Sequence, residues 1–231
     1  MTITLITGAN KGIGFETARR LTELGHTVLL GARDPGRGRY AADRIGARFV
    51  HLDVTDDALV AAAAADVAAH EGAVDVLVNN AGIIGSTERA EALDGTDAAL
   101  VLDTNVTGIV RVTHAFLPLL RRSDAPAVVN VSSGLGSFAV TLDPQRVESQ
   151  AVAPLYAASK AAVTMLTTQY ARAIPDVRFN AADPGYTATD LNGHSGPQTV
   201  TEGTDAIVTL ATEDPSSGTG RVIDRYGPLP W

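Results

Sequence analysis

The sequence predicts an α/β chain of Rossmann type: one doubly wound parallel sheet of about seven strands, with helices on both faces. Three observations carry this. Short apolar, β-branched runs recur along the chain with helical segments between them, a pattern that makes strands parallel and sets helices on both sides of a sheet. The runs are apolar on both alternations, as strands buried on both faces require. The length of 231 residues suits one larger α/β domain spanning 1–231, since chains divide only above roughly 250–300 residues.

In chain order the strands read Thr2–Thr7, Thr27–Arg33, Arg48–Leu52, Val74–Val78, Ala127–Val131, Val177–Ala182 and Val222–Asp224. Helices are expected over Ile13–Leu24, Asp56–His70, Asp97–Leu120 with an irregularity near Asn105, Leu155–Ile174 and Glu202–Ala211. The punctuation agrees: Gly25 follows the first helix, Thr55 precedes the second as a cap, and Pro175 follows the fourth. Two stretches interrupt the rhythm. Residues 142–154 hold two prolines among polar side chains and read as a surface insertion. Residues 190–201 form a polar loop with Gly, Pro and Ser, expected as a lid over the substrate.

Composition narrows the chemistry. The absence of cysteine removes disulfides, thiolate nucleophiles and cysteine metal sites together, and five scattered histidines make no ligand motif, so no metal is expected. A net charge of −8 repels nucleic acid and anionic lipid. The N-terminus has no signal-peptide pattern, and the alanine-rich stretch Ala58–Ala69, interrupted by Asp66, is far short of a membrane span. A soluble, cytoplasmic protein is expected.

The first strand runs into Thr7-Gly8-Ala9-Asn10-Lys11-Gly12-Ile13-Gly14 and then a helix. Glycines allow a tight turn and close backbone approach to a phosphate, and the helix N-terminus offers free N–H groups to an anion. The spacing is GxxxGxG rather than GxGxxG, but it lies at the first strand-to-helix turn, where a dinucleotide binds. The second strand ends at Gly31-Ala32-Arg33, where an NAD-specific domain places an acid for the ribose 2′-hydroxyl. Arg33 instead offers a donor fork suited to a 2′-phosphate, and Lys11 adds a second cation, so NADP(H) is expected. Asp34 lies one residue beyond and could face the ribose if the register slipped.

Tyr156-Ala-Ala-Ser-Lys160 opens the fourth helix and puts both side chains on one face, a turn apart. A nearby ammonium stabilises a phenolate, so Tyr156 can exchange a proton with a carbonyl or alcohol oxygen. Ser132-Ser133-Gly134 follows the fifth strand at the carboxyl edge of the sheet and can hydrogen-bond a substrate oxygen. No acid or histidine is placed to make either serine a nucleophile, and GxSxG is absent.

Taken with Asp53, Asn79-Asn80-Ala81-Gly82, Asn105 and Pro184-Gly185-Tyr186-Thr187-Ala188-Thr189, these motifs make the sequence resemble the classical short-chain dehydrogenase/reductase family, in family order and over nearly the whole chain. The resemblance implies catalytic roles for Asn105, Ser133, Tyr156 and Lys160. Asn105 would hold a helix irregularity and a water, and Lys160 would also bind the nicotinamide ribose beside Tyr156. It implies cofactor contacts at Gly8, Asn10, Lys11, Gly12, Ile13, Gly14 and Arg33. Asp53 and Val54 would meet the adenine, Asn80, Ala81 and Gly82 the adenosine ribose, and Pro184, Gly185, Thr187 and Thr189 the nicotinamide amide and pyrophosphate.

Three departures stand out. Ser133 and Tyr156 are about ten positions further apart than is usual, as in carbonyl reductases and plant menthone or salutaridine reductases. Many of those are monomers, so the choice between monomer and homo-oligomer stays open. The chain ends soon after its last strand and the lid is short. Asp183 stands before Pro184, where the family more often has a small or apolar residue. The expected activity is NADPH-dependent reduction of a small apolar aldehyde or ketone, or the reverse, with Leu135, Phe138, Val140, Tyr186 and Leu191 as pocket candidates. The alternatives are a non-catalytic NADP(H) sensor or scaffold and an epimerase or dehydratase. Sensors often lose the tyrosine or lysine, and both are present here.

Overall fold

A computed structural model describes residues 1–231. The strands are β1 Ile3–Ile6, β2 Thr27–Ala32, β3 Arg48–His51, β4 Val76–Asn79, β5 Ala127–Val131, β6 Arg178–Ala182, β7 Val222–Asp224 and β8 Gly227–Pro228. They form one sheet in the order β3-β2-β1-β4-β5-β6-β7-β8. The helices are α1 Gly12–Glu23, α2 Pro35–Ile45, α3 Asp57–His70, α4 Gly95–Leu102, α5 Gly108–Leu120, α6 Phe138–Thr141, α7 Pro154–Ala173, α8 Val200–Gly203 and α9 Asp205–Thr212. No helix is long and apolar enough to cross a membrane.

The two alternations of the strands feed two separate apolar layers, which is why both read as hydrophobic. On one face Ile6, Leu30, Val78 and Val129 pack with Leu21 of α1, Ala42 of α2 and Leu210 of α9. On the other, Leu5, Leu29, Leu77 and Val128 pack with Val67 of α3, Phe116 of α5 and Ala171 of α7.

Three features differ from the sequence expectation, and one expected irregularity takes a definite form. The sheet has eight strands rather than seven, and the last is antiparallel: Asp224 accepts from the Tyr226 amide at 2.7 Å, and Gly227, at φ 130°, turns the chain back. Helix α2 was not foreseen, because two glycines and three arginines hide its periodicity. Asp34 nevertheless caps the Arg37 amide at 2.8 Å, Pro35 opens it, and Gly46 closes it in the left-handed conformation. The irregularity expected near Asn105 within Asp97–Leu120 is a π-helical segment, Asp103–Thr107, which separates α4 from α5. The helix expected over Glu202–Ala211 breaks between α8 and α9 at Thr204, whose hydroxyl bonds back to the Thr201 carbonyl at 2.7 Å.

Segment 142–154 carries one 3₁₀ turn, Val147–Gln150, with Leu142 and Val152 exposed. Segment 190–201 begins with a 3₁₀ turn capped by Thr189 and is tied down by a bridge between Thr187 and Gln198. The carboxyl ends of β1, β4, β5 and β6 lie side by side, so the segments that follow them share one edge of the sheet.

Candidate active site

The glycine turn after β1 is shaped by contact with the segment after β4. Thr7 Oγ1 accepts from the amides of Asn80 and Ala81, both at 3.0 Å, while Asn80 Nδ2 donates to the carbonyls of Thr7 and Gly8. Gly14 has no room for a Cβ, which would lie 2.4 Å from Asn80 Nδ2 and 2.7 Å from the Gly8 carbonyl. Gly8 and Gly12 take left-handed φ values of 62° and 55°. The first turn of α1 has no side-chain cap, so its leading N–H groups are free to receive an anion. Opposite them lies Thr189, and a cleft of about 300 Å³ is lined by Lys11, Gly12, Thr189, Asp190 and His194 among others.

At the end of β2, Arg33 is exposed. Asp34 does not turn toward the cleft, because its carboxylate caps α2. Arg37, 3.8 Å from Asp34, is a further exposed cation that the sequence reading did not single out; its only sequence signal is the arginine spacing after Arg33. Lys11 is held by Asp190 at 2.9 Å. Asp53 accepts from the Thr55 amide and hydroxyl at 3.0 and 2.7 Å. Val54 is buried, and its side chain closes against Gly108.

A second cluster forms where α7 crosses β5. Lys160, only 4 % exposed, donates from Nζ to the Val131 carbonyl at 2.7 Å, and its Nζ lies 5.5 Å from the centroid of the Tyr156 ring. The two serines after β5 separate cleanly. Ser132 is buried and donates to the Lys160 carbonyl at 3.1 Å, with Thr164 Oγ1 at 2.8 Å. Ser133 Oγ accepts from the Leu135 amide at 3.2 Å and faces the Tyr156 hydroxyl, whose ionised form it favours. Asn105 Nδ2 donates to the Ile83 carbonyl and to Ser159 Oγ at 2.8 and 2.9 Å, while its Oδ1 accepts from the Ile83 amide at 2.8 Å. Ser159 donates in turn to the Tyr156 carbonyl at 2.7 Å. Ser159 was not singled out from sequence; its only signal was its place inside the Tyr156–Lys160 motif. Gly82 borders this network, and a Cβ there would lie 3.3 Å from Asn105 Oδ1 and 3.7 Å from Lys160 Nζ.

The electrostatics follow from burial. Burial pushes the Tyr156 phenol up to about 12; the negative charge of Asp183 adds to this and the hydrogen bond with Ser133 opposes it. Burial pulls Lys160 down to about 8, against the pull of the same Asp183.

After β6, Thr187 donates to the Pro184 carbonyl at 2.9 Å, and Asp183 accepts from the Gly185 amide at 2.9 Å. Beside Tyr156 opens a pocket of about 130 Å³, with Ile84, Leu93, Val152, Pro154 and Leu155 as its apolar lining and Ser86, Thr87 and Glu88 as its polar lining. None of these lining residues was a sequence candidate. Of those that were, Phe138, Tyr186 and Leu191 are exposed, Leu135 is half-buried, and Val140 packs into an apolar cluster with Ala181, Val222 and Leu229 rather than against this pocket.

Comparisons with known proteins bear on the family and the fold. A family model described as short chain dehydrogenase matches residues 2–199. A short-chain dehydrogenase of Penicillium roqueforti is 34 % identical, covering 98 % of this chain and 95 % of its own. The (−)-isopiperitenone reductase of Mentha piperita is 32 % identical over 90 % of this chain and 91 % of its own. The structure of an NADPH-bound carbonyl reductase from chicken fatty liver superposes with a TM-score of 0.87 at 27 % identity, covering both chains completely.

Proposed function

Because the chain belongs to the short-chain dehydrogenase family, we propose that it is an NADPH-dependent reductase that converts the carbonyl of a small apolar aldehyde or ketone to an alcohol. The observation that carries this reading is the meeting of Ser133, Tyr156 and Lys160 at the carboxyl edge of β5.

The cleft between the glycine turn and Thr189 fits a dinucleotide. The uncapped start of α1 supplies unpartnered N–H groups for a pyrophosphate, and Gly8, Asn10, Gly12, Ile13 and Gly14 leave it open to close approach. Asp53 and Val54 would meet the adenine, and Asn80, Ala81 and Gly82 the adjoining ribose. Arg33 and Lys11 would hold a 2′-phosphate, while the acid that follows Arg33, Asp34, is engaged by its helix cap. Pro184, Gly185, Thr187 and Thr189 would border the nicotinamide end. Once bound, the cofactor supplies the hydride.

The protein's own part is the proton and the oxygen. Tyr156 donates its hydroxyl proton to the carbonyl oxygen as negative charge develops there, and Ser133 donates a hydrogen bond to the same oxygen. Lys160 in its ammonium form stabilises the phenolate left behind. Asn105 orients this machinery through Ser159 and the Ile83 backbone. The pocket over Tyr156 sets Ile84, Leu93 and Leu155 beside the polar Ser86, Thr87 and Glu88, which suits a compact, largely apolar carbonyl compound.

NADPH consumption by the wild-type protein over aldehydes, ketones, quinones and diketones tests the reading. Turnover on one class supports it. Saturable NADPH binding with no turnover anywhere contradicts it in favour of a cofactor sensor.

A further inference from the structure

Asp183 is a buried acid that the proton transfer described above does not use. It ends β6 beside the catalytic turn of β5 and is 3 % exposed. One carboxylate oxygen accepts from the Gly185 amide at 2.9 Å, and the carboxylate also faces the Gly134 backbone, whose amide helps to hold its charge. Gly134 follows Ser133 directly, so this one side chain ties the serine turn to the Pro184–Gly185 turn. A Cβ on Gly134 would lie 3.0 Å from Asp183 Oδ2 and 2.9 Å from Glu148 Oε1; the turn needs glycine because two carboxylates flank it.

No cation neutralises Asp183 by contact. The one guanidinium close by, Arg146, is taken by Glu148 at 3.2 Å. The other charged groups facing Asp183 are Asp224 on β7, Glu148 on the surface insertion, and Lys160 on α7, whose Nζ bonds to Val131 instead.

We propose that Asp183 is a positioning residue for the proton-donor state of the site: it fixes the Ser133–Gly134 backbone and sets an unneutralised buried charge behind Tyr156 and Lys160. This rests on the reading of Tyr156 as the acid. The charge opposes phenolate formation at Tyr156 and favours the ammonium at Lys160, so both effects keep protons on the pair. A reductase needs that form. Burial, with the negative charges of Glu148 and Asp224, pushes the Asp183 carboxyl itself up, while its two amide donors hold it down. The charge therefore acts above the pH at which Asp183 ionises.

The test compares pH profiles of carbonyl reduction for wild type, Asp183→Asn and Tyr156→Phe, with NADPH binding measured in parallel. In Asp183→Asn the alkaline limb should move down by about one unit, so that reduction beyond the new limb falls about tenfold relative to wild type. NADPH affinity should stay the same. An unmoved limb in an active Asp183→Asn protein overturns the inference while Tyr156→Phe remains inactive, whereas an active Tyr156→Phe protein overturns the assignment of the acid. A loss of rate equal at every pH marks Asp183 as a structural tie alone and also overturns the inference. Should Asp183→Asn fail to fold, Asp183→Ser takes its place in the same comparison: an alkaline limb moved down supports the inference, and an unmoved limb in an active protein overturns it.

Discussion

Asn105 and Ser159, 54 residues apart in sequence, are joined by a 2.9 Å hydrogen bond from the Asn105 amide to the serine hydroxyl. That bond links the π-helical segment between α4 and α5 to the turn of α7 that carries Tyr156. The same amide group satisfies both the N–H and the C=O of Ile83, so one side chain holds three elements. Asn105→Ala leaves the N–H and C=O of half-buried Ile83 without their partner, while Ser159 keeps only its bond to the Tyr156 carbonyl. The substitution should destabilise the protein by about 2–4 kcal/mol and lower kcat more than it raises the substrate KM. Chemical denaturation and steady-state kinetics check this.

Lys160 is costly to the fold. A buried ammonium whose folded pKa is about 8 against 10.5 unfolded binds fewer protons when folded. The destabilisation is full below pH 8 and disappears as the pH rises through 10.5. Lys160→Met should therefore abolish turnover and yet raise stability at pH 7 by about 1–2 kcal/mol, after the loss of the bond to Val131. The gain over wild type should shrink between pH 8 and 10.5. Denaturation at several pH values reads it, and a less stable variant at pH 7 contradicts it.

The glycine turn predicts a steric failure. Gly14→Ala would force a methyl to within 2.4 Å of Asn80 Nδ2 and 2.7 Å of the Gly8 carbonyl. The backbone must shift, at a cost of about 1–3 kcal/mol. NADPH affinity should fall with it, since the turn and the start of α1 move together. Thermal unfolding with and without NADPH separates the two effects.

Lys11 is shared between the cofactor cleft and the segment after β6 through its 2.9 Å contact with Asp190. Both side chains are exposed, so the pair contributes little to stability. Asp190→Ala should leave the unfolding midpoint within about 0.5 kcal/mol of wild type while tightening NADPH several-fold, because it frees Lys11 for the 2′-phosphate. Arg33→Ala should weaken NADPH about tenfold or more and leave NADH unchanged. Equilibrium titration with both cofactors checks both variants.

Much of this was legible in the sequence because the turn chemistry is local. The glycine turn, the Tyr156–Lys160 spacing and the short apolar strands each carry their signal within a few residues. What escaped depends on distant partners. Helix α2 hides behind glycines, and Gly38 is there because a Cβ would meet Phe49 at 2.2 Å, a contact with the next strand. The antiparallel β8 is two residues long, too short for any period. Ser159 looked like filler inside a motif until Asn105 was placed against it. The pocket wall came from Ile84, Leu93 and Val152, in segments far apart in sequence, and Val140 was lost to the core because α6 turns it inward.

The central claim is that Tyr156 delivers the proton during NADPH-dependent carbonyl reduction. Its most direct test is the single-turnover rate of NADPH oxidation, at saturating cofactor and a reactive carbonyl substrate, in wild type and Tyr156→Phe, with NADPH binding measured in both. We expect equal binding and a rate about 10²–10⁴-fold lower in the variant. A Tyr156→Phe protein that binds NADPH and oxidises it at the wild-type rate would contradict the account.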